Sequence, residues 1–398
     1  MSRIKVLHII TRLANGGADE NTLFTIKGLD FSSYDLDLMI GEENDPIMMN
    51  NLKLPKEVKL YKVKGLRRDI SPYHDLLALF RIYRIIRAGN YDIVHTHIAK
   101  AGILGRLAAK MAGVPIIIHG IHGTTFPDTI HPLKQRLFRD IEKFTARYTD
   151  FFIPVGEDMK EKYIKAGVGK REQYQTVYSG MELNKFTNAS NYTKKKREDI
   201  RTSLGIDQDQ IVIGNVSKIQ QRKGFTFYLD LAKKITDEYD NVVFLIVGSG
   251  PNEEQIKRKS EEMGLTDKVI FTGYRTDVED IFAIFDVKVL TSLWEGLPRV
   301  LVQAAAVGKP IVTFDVDGAW EIVEEGKNGF IVPMKNVDAM NEKVRQLIED
   351  DNLRKKMGLN SYKKVSELWT VEKMVTDIDH IYQKLYSKNL KKNNDKAN

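Results

Sequence analysis

Ser292-Leu293-Trp294-Glu295-Gly296-Leu297-Pro298, continuing through Gln303 to Gly308-Lys309-Pro310, is the stretch on which the reading of this chain turns. Proline at 298 suits the first turn of a helix, because its fixed φ is helical and its missing N–H is not needed there. The pattern predicts a helix beginning near Pro298 and ending at Gly308, followed by a buried strand over residues 310–314. The amides of Arg299, Val300 and Leu301 would then face whatever lies in front of the helix. Free N–H groups and the positive end of a helix dipole together form an anion site, typically for phosphate. Glu295 falls beside that site, and Gln303 lies inward along the helix. A carboxylate next to a phosphate cradle points to an enzyme handling a nucleotide-linked, hydroxyl-rich molecule. Locally, an ordinary loop–helix–strand connection of any α/β protein reads the same way, so the rest of the chain has to decide.

At 398 residues the chain is too long for one simple core, and two domains are the natural division. The absence of cysteine excludes disulfides, thiolate zinc sites and cysteine nucleophiles. The N-terminal segment Met-Ser-Arg-Ile-Lys-Val-Leu-His-Ile-Ile runs directly into a strand and does not read as a signal peptide. No apolar run approaches the ~20 residues of a membrane helix, so a cytoplasmic protein is expected. The net charge of +7 is unevenly placed. Residues 1–185 hold 28 basic and 21 acidic side chains, leaving 33 of each in the remainder. A basic half can meet nucleic acid, an anionic membrane surface or a phosphorylated acceptor; a merely solvated surface is the competing explanation.

Short apolar runs alternate with longer amphipathic stretches, the pattern of βαβ units and parallel sheets. Strands are predicted at 5–10, 36–40, 93–95, 116–119 and 151–154, and again at 211–216, 242–247, 269–271, 287–290 and 311–314. The expected fold class is α/β, two Rossmann-like domains facing a central cleft. The first domain covers residues 1–185 and the second 186–365. A C-terminal helix at 366–386 packs back on the first domain, and a lysine- and asparagine-rich tail at 387–398 is expected to be disordered. Ligands of such sheets bind at the carboxyl ends of the strands.

Four further segments fall at such ends. Gly16-Gly17 follows the first strand and allows close backbone approach to a ligand, but it is not GxGxxG, so a dinucleotide fingerprint is missing. His95-Thr96-His97 with Lys100 follows another strand; two histidines alone make a weak metal case. His122, in His119-Gly120-Ile121-His122-Gly123, stands between a strand end and a glycine. Lys218 and Lys223-Gly224 supply two cations just past the first strand of the second half, able to neutralise a departing diphosphate. Asp-x-Asp recurs in unrelated contexts, as at Asp35/Asp37 and Asp207/Asp209, which argues against a metal motif.

The 292–310 block resembles the C-terminal signature of family 4 retaining glycosyltransferases, which have the GT-B fold. That signature is a serine, a glutamate-glycine-x-proline turn and a second glutamate eight residues after the first. Glu295 matches the first glutamate, while Gln303 occupies the second and Lys218 stands where the family has arginine. Gly16-Gly17, the His97–Lys100 stretch, His122, Lys223-Gly224 and Tyr274-Arg275 match further family segments in the same order. The resemblance implies a retaining, hexosyltransferase-type enzyme of surface-polysaccharide synthesis, using a nucleotide-diphosphate sugar, UDP-linked, with no cofactor and no catalytic metal. It implies that Glu295 and His122 act at the sugar. Gly16, Gly17, Lys218, Lys223, Tyr274, Arg275, Val300, Leu301 and Gln303 would hold the donor, and His97 and Lys100 would lie on the acceptor side. The implied partners are the nucleotide sugar, a glycan or polyprenyl-linked acceptor and the anionic inner face of a membrane, with no nucleic acid. A nucleotide-sugar epimerase on the same fold and a catalytically silent sugar-nucleotide-binding protein remain as alternatives.

Overall fold

Runs of Val, Ile and Leu bounded by glycine and polar turns form two separate six-stranded parallel sheets in the computed structural model. The structure describes residues 3–14, 16–127, 130–365 and 368–397, with side chains through residue 391. Asn15 of the double-glycine loop and residues 366 and 367 of the expected C-terminal helix lie outside the described residues. The chain divides into unit 1, Met1–Gly180 with Thr370–Asn398, and unit 2, Met181–Trp369.

Unit 1 carries β1 (Ile4–Ile10), β2 (Tyr34–Ile40), β3 (Lys59–Lys62), β4 (Ile93–His97), β5 (Ile116–Ile121) and β6 (Phe151–Pro154), in the order β3-β2-β1-β4-β5-β6. Unit 2 carries β7 (Ile211–Val216), β8 (Val242–Val247), β9 (Val269–Gly273), β10 (Val287–Leu290), β11 (Ile311–Phe314) and β12 (Gly329–Val332), in the order β12-β11-β10-β7-β8-β9. Both are the doubly wound 3-2-1-4-5-6 arrangement, whose strand order reverses between β1 and β4 and again between β7 and β10. Because such sheets are covered on both faces, their central strands are mostly apolar, and polar residues within them, such as His8, His95, His97 and Lys288, are buried.

The period-two alternation of a strand sorts unit 1 into two cores. Leu7, Ile9, Val94 and Ile117 pack on helices Pro72–Gly89 and Ala99–Ala112. Val6, Ile10, Ile93 and Ile118 pack on the opposite face, under helix Gly17–Gly28 and the long helix Val371–Ala397. The long helix contributes Met374, Ile378, Ile381 and Tyr382, one stripe at helical spacing. Its backbone stays helical through residues 387–397, where the composition led us to expect disorder. Lysine costs little in a helix, so a polar composition there is compatible with a helical backbone. The strands at Lys59–Lys62 and Gly329–Val332 escape sequence reading because each closes the edge of its sheet and is short, the first with only Leu60 and Tyr61 between lysines and the second with only three apolar residues after its glycine. Among the described residues no helix is long and apolar enough to cross a membrane.

Candidate functional site

In unit 2 the loops after β7 and β10 meet at the point where strand order reverses, the usual ligand position in open α/β sheets. Leu293 N donates to Arg222 O at 2.8 Å and Thr291 Oγ1 to Lys223 O at 3.1 Å, tying the two loops together. Gly224 makes the approach possible: its φ is +62°, and a Cβ there would lie 2.0 Å from Thr291 O. Held this way, Lys223 Nζ donates to Glu295 Oε1, and Arg222 Nη1 reaches Glu295 Oε2 at 3.4 Å. The Glu295 carboxylate is 8% exposed and the Lys223 side chain 12%. The structure thus brings Lys223, named from the sequence, against Glu295 together with Arg222, a neighbouring cation that the sequence reading passed over. Lys218, at the start of the same loop, is exposed.

Behind this pair stands Lys288, a lysine fully buried in the middle of β10, donating to Asn215 Oδ1 at 3.0 Å. Burial drives its pKa well below the usual lysine value, the Lys223 charge adds to that, and Glu295 opposes it. Asn215 Nδ2, Ser217 Oγ and Ser292 Oγ are buried there without a hydrogen-bond partner.

The helix after Glu295 runs Arg299–Ala306, so Pro298 occupies its N-cap and not its first turn. Leu301 N already donates to Pro298 O at 2.8 Å and Arg299 N to Leu297 O at 2.9 Å. The expected free amide at Leu301 is thus engaged, and Val300 lies between the two engaged positions. Gly308, at φ +73°, follows the helix as predicted. Gln303 is half-buried on this helix. Tyr274 is exposed after β9, and Arg275 donates through Nε to Asp277 at 2.8 Å.

In unit 1 the loop after β1 is closed by its own side chain. Asp19 Oδ2 accepts from Ala14 N at 2.6 Å and from Gly16 N at 3.0 Å, satisfying amides expected to face a ligand. Burial raises the Asp19 pKa, while those two amides and the Arg12 charge oppose the rise. Gly17 opens helix Gly17–Gly28. Lys100, expected on the acceptor side, is committed to Asp75 Oδ1 at 2.5 Å and Asp69 O at 2.7 Å. Between His97 and Lys100, Ile98 adopts φ +56°, a conformation costing a β-branched residue about 1–3 kcal/mol and characteristic of functional turns.

His97 is not open to solvent. It lies on one face of β4 with His95, and His8 of β1 stands directly opposite His95 in register. His97 Nε2 lies 3.0 Å from His8 Nδ1, and His97 Nδ1 lies 3.0 Å from His122 Nε2. His122 keeps an accessible edge, but both of its nitrogens are enclosed. Tyr382 OH lies 2.6 Å from His95 Nδ1. One nitrogen each from His8, His95 and His97 falls within 4.8 Å of the others, a spacing that could hold a metal ion, although hydrogen bonds engage most of these atoms. Burial lowers the pKa of His8 to about 3 and of His122 to about 4. It puts His95, His97 and His119 well below the ordinary imidazole value, with further lowering from neighbouring rings or charges. His8, a polar residue inside an apolar strand, was the readable signal for this cluster; Tyr382 gave none.

Two Rossmann-like sheets, one with a carboxylate and two cations at its strand-order reversal, define a glycosyltransferase of GT-B architecture. Solved GT-B enzymes share the fold: the Anabaena protein HepE, crystallised with UDP-glucose, superposes with a TM-score of 0.78 over 96% of this chain and all of that one, at 20% identity. The chain belongs to glycosyltransferase family 4: residues 42–185 match the family of that name, and residues 196–364 match the glycosyl transferases group 1. A relative of similar length is the Escherichia coli UDP-Gal:alpha-D-GlcNAc-diphosphoundecaprenol alpha-1,3-galactosyltransferase, 29% identical over 96% of this chain and 97% of its own. The Staphylococcus aureus capsular polysaccharide biosynthesis glycosyltransferase CapM is 27% identical over 82% of this chain and 87% of its own.

Proposed function

We propose that this chain transfers a hexose, with retention of configuration, from a UDP-linked donor to a polyprenyl-diphosphate-linked glycan in surface-polysaccharide synthesis. The observation that carries the reading is the carboxylate–cation cluster of Glu295, Lys223 and Arg222 between β7 and β10. In the free protein the one carboxylate offsets only one of the two cations. A donor diphosphate would draw Lys223 and Arg222 to its oxygens, with Lys218 and the amide of Val300 nearby in the sequence of the site. Glu295 would then be released to the sugar hydroxyls and hold the anomeric carbon in position. Cations waiting where the leaving diphosphate gathers charge are worth several kcal/mol in a low-dielectric site. Gln303, able to accept and donate but uncharged, would contact the ribose. With side-chain cations meeting the diphosphate, the reading needs no catalytic metal. The E. coli relative, named for a UDP-sugar donor and an undecaprenol-linked acceptor, supports this choice of substrates.

The test is transfer of labelled hexose from a panel of UDP-sugars to a polyprenyl-diphosphate GlcNAc acceptor, with the product linkage read by NMR. An α-linked product from an α-linked donor is expected. Conversion of the nucleotide sugar without acceptor would show an epimerase, and binding with no turnover on any donor a silent binding protein.

We also place unit 1 at an anionic membrane surface, where a lipid-linked acceptor would be met. Helix Pro132–Ala146 exposes Leu133, Leu137 and Phe144 along one face, flanked by the exposed Lys134, Arg136 and Lys143, and Arg147 follows it. The Arg136–Asp140 and Arg139–Asp140 contacts, at 3.9 and 3.8 Å, are too long to hold these arginines back. At about 1 kcal/mol for each basic residue near such a surface, replacing Arg136, Arg139 and Arg147 by glutamine weakens binding to phosphatidylglycerol vesicles about a hundredfold. Unchanged vesicle co-sedimentation sinks the membrane assignment.

A further inference from the structure

Four imidazoles and one phenol of unit 1 form an unbranched chain of hydrogen bonds. His122 Nε2 meets His97 Nδ1 at 3.0 Å, and His97 Nε2 meets His8 Nδ1 at 3.0 Å. His8 Nε2 meets Tyr382 OH at 3.4 Å, and Tyr382 OH meets His95 Nδ1 at 2.6 Å. Every ring nitrogen along the way is used except the two at the ends. His122 Nδ1 and His95 Nε2 are buried without a partner, and so is Asn21 Oδ1. His95, His122 and Asn21 line the same small cavity of about 20 Å³, walled otherwise by residues such as Met374 and Ile378. That is room for one water molecule.

We propose that His122, His97, His8, Tyr382 and His95 act as one hydrogen-bond wire that holds its four imidazoles in a common tautomer and seats a single water across its two ends. The common tautomer follows from counting protons. A neutral imidazole has one N–H and one lone pair, so each link it makes dictates the other. If His122 carries its proton on Nδ1, its Nε2 must accept from His97 Nδ1–H, and His97 Nε2 must accept from His8 Nδ1–H. His8 Nε2 then accepts from Tyr382 O–H, whose oxygen accepts from His95 Nδ1–H. All four rings are then Nδ1–H tautomers. Reversing one link reverses all, and the four rings become Nε2–H. In either direction one free end presents an N–H and the other a lone pair.

The same count selects the occupant. The Asn21 carbonyl and one wire end require two donors, and the other end requires one acceptor. Water meets all three requirements at once; an anion cannot donate, and a cation cannot accept from the N–H end. Gly120 makes room for the arrangement, since a Cβ there would lie 2.9 to 3.1 Å from His97 Nδ1, His122 Nε2 and His95 Nε2. Tyr382 is therefore a positioning residue: from the C-terminal helix it couples the tautomer of His95 to that of His8, and through His97 to that of His122. This holds whatever donor or acceptor the enzyme uses.

The test is long-range ¹H–¹⁵N correlation on full-length, histidine-labelled protein at pH 7.5. His8, His95, His97 and His122 are expected neutral and in one common tautomer, with long-lived water cross-peaks to the rings of His95 and His122. A mixed set of tautomers, an imidazolium among the four, or no bound water at both ends overturns the proposal. Adding Zn²⁺ is expected to leave the four sets of resonances in place, and their displacement overturns it equally. Tyr382→Phe removes the hydroxyl while keeping the ring; the His95 resonances are expected to shift toward the average of the two tautomers. Four unchanged rings in a folded variant overturn the wire. If the variant fails to fold, the wild-type spectrum decides alone.

Discussion

Glu295→Gln lowers kcat by about a thousandfold with little change in KM, the signature of a contact to the sugar that strengthens greatly from the bound donor to the transition state. Glutamine keeps the length and the accepting oxygen of Glu295 but not the charge, so the variant asks what the carboxylate itself does. Its structural cost is separable. Lys223 and Arg222 lose their countercharge, yet Lys223 is 12% and Arg222 36% exposed, so water can still reach both cations. A Tm reduction of no more than about 4 °C is expected for that loss. Measuring transfer and thermal unfolding on one preparation therefore distinguishes the two roles. If transfer persists within a few fold while Tm falls sharply, Glu295 is a structural ion-pair partner and the proposed function loses its central residue. If donor binding, read by thermal shift with UDP-hexose, also collapses in the variant, the carboxylate holds the ground state and not the transition state.

The legible part of this molecule is what chain-local physics dictates. Apolar runs announced both sheets, because a strand covered on both faces reads as a nearly continuous apolar run. The Glu295 and Lys223 positions were readable because each follows a strand end, and strand ends are where doubly wound sheets bind ligands. Contacts between distant segments were not readable. Nothing near Gly16 says that Asp19 will occupy its amide, although the two are three residues apart. Tyr382 stands 287 residues from His95, and its hydroxyl is one tyrosine hydroxyl among 16 until the fold places it. Lys288 and His8 share a different signal: a titratable side chain inside an apolar strand either finds a partner or stays uncharged. Both stand in the central strands flanking a strand-order reversal, so polar residues there mark the sites that the apolar pattern alone passes over.

Acid unfolds unit 1 before unit 2, with a midpoint between about pH 5 and 5.5. All eight histidines fall in unit 1, and all three tryptophans in unit 2. Five of the histidines, at positions 8, 95, 97, 119 and 122, have folded-state pKa values lowered by burial, to about 3 for His8 and about 4 for His122. The unfolded chain takes up those protons near pH 6.5, while the folded unit declines them until far lower pH. Protons therefore bind the unfolded state preferentially throughout that window, and stability is lost as pH falls through it. At pH 5 each such imidazole costs about 2 kcal/mol, and the five together about 10 kcal/mol, comparable with the whole stability of a domain. Above pH 6.5 the effect vanishes. Carboxylates cannot mimic it, because those with lowered values, such as Asp277, release their stabilisation only as pH falls below the ordinary carboxylate range. Unit 2, without a histidine, lacks this term altogether. Histidine ring resonances should collapse to random-coil positions in the pH 5–5.5 interval while tryptophan emission remains native. A midpoint below pH 4, or both probes moving together, would show that the buried imidazoles do not set the acid limit of this enzyme.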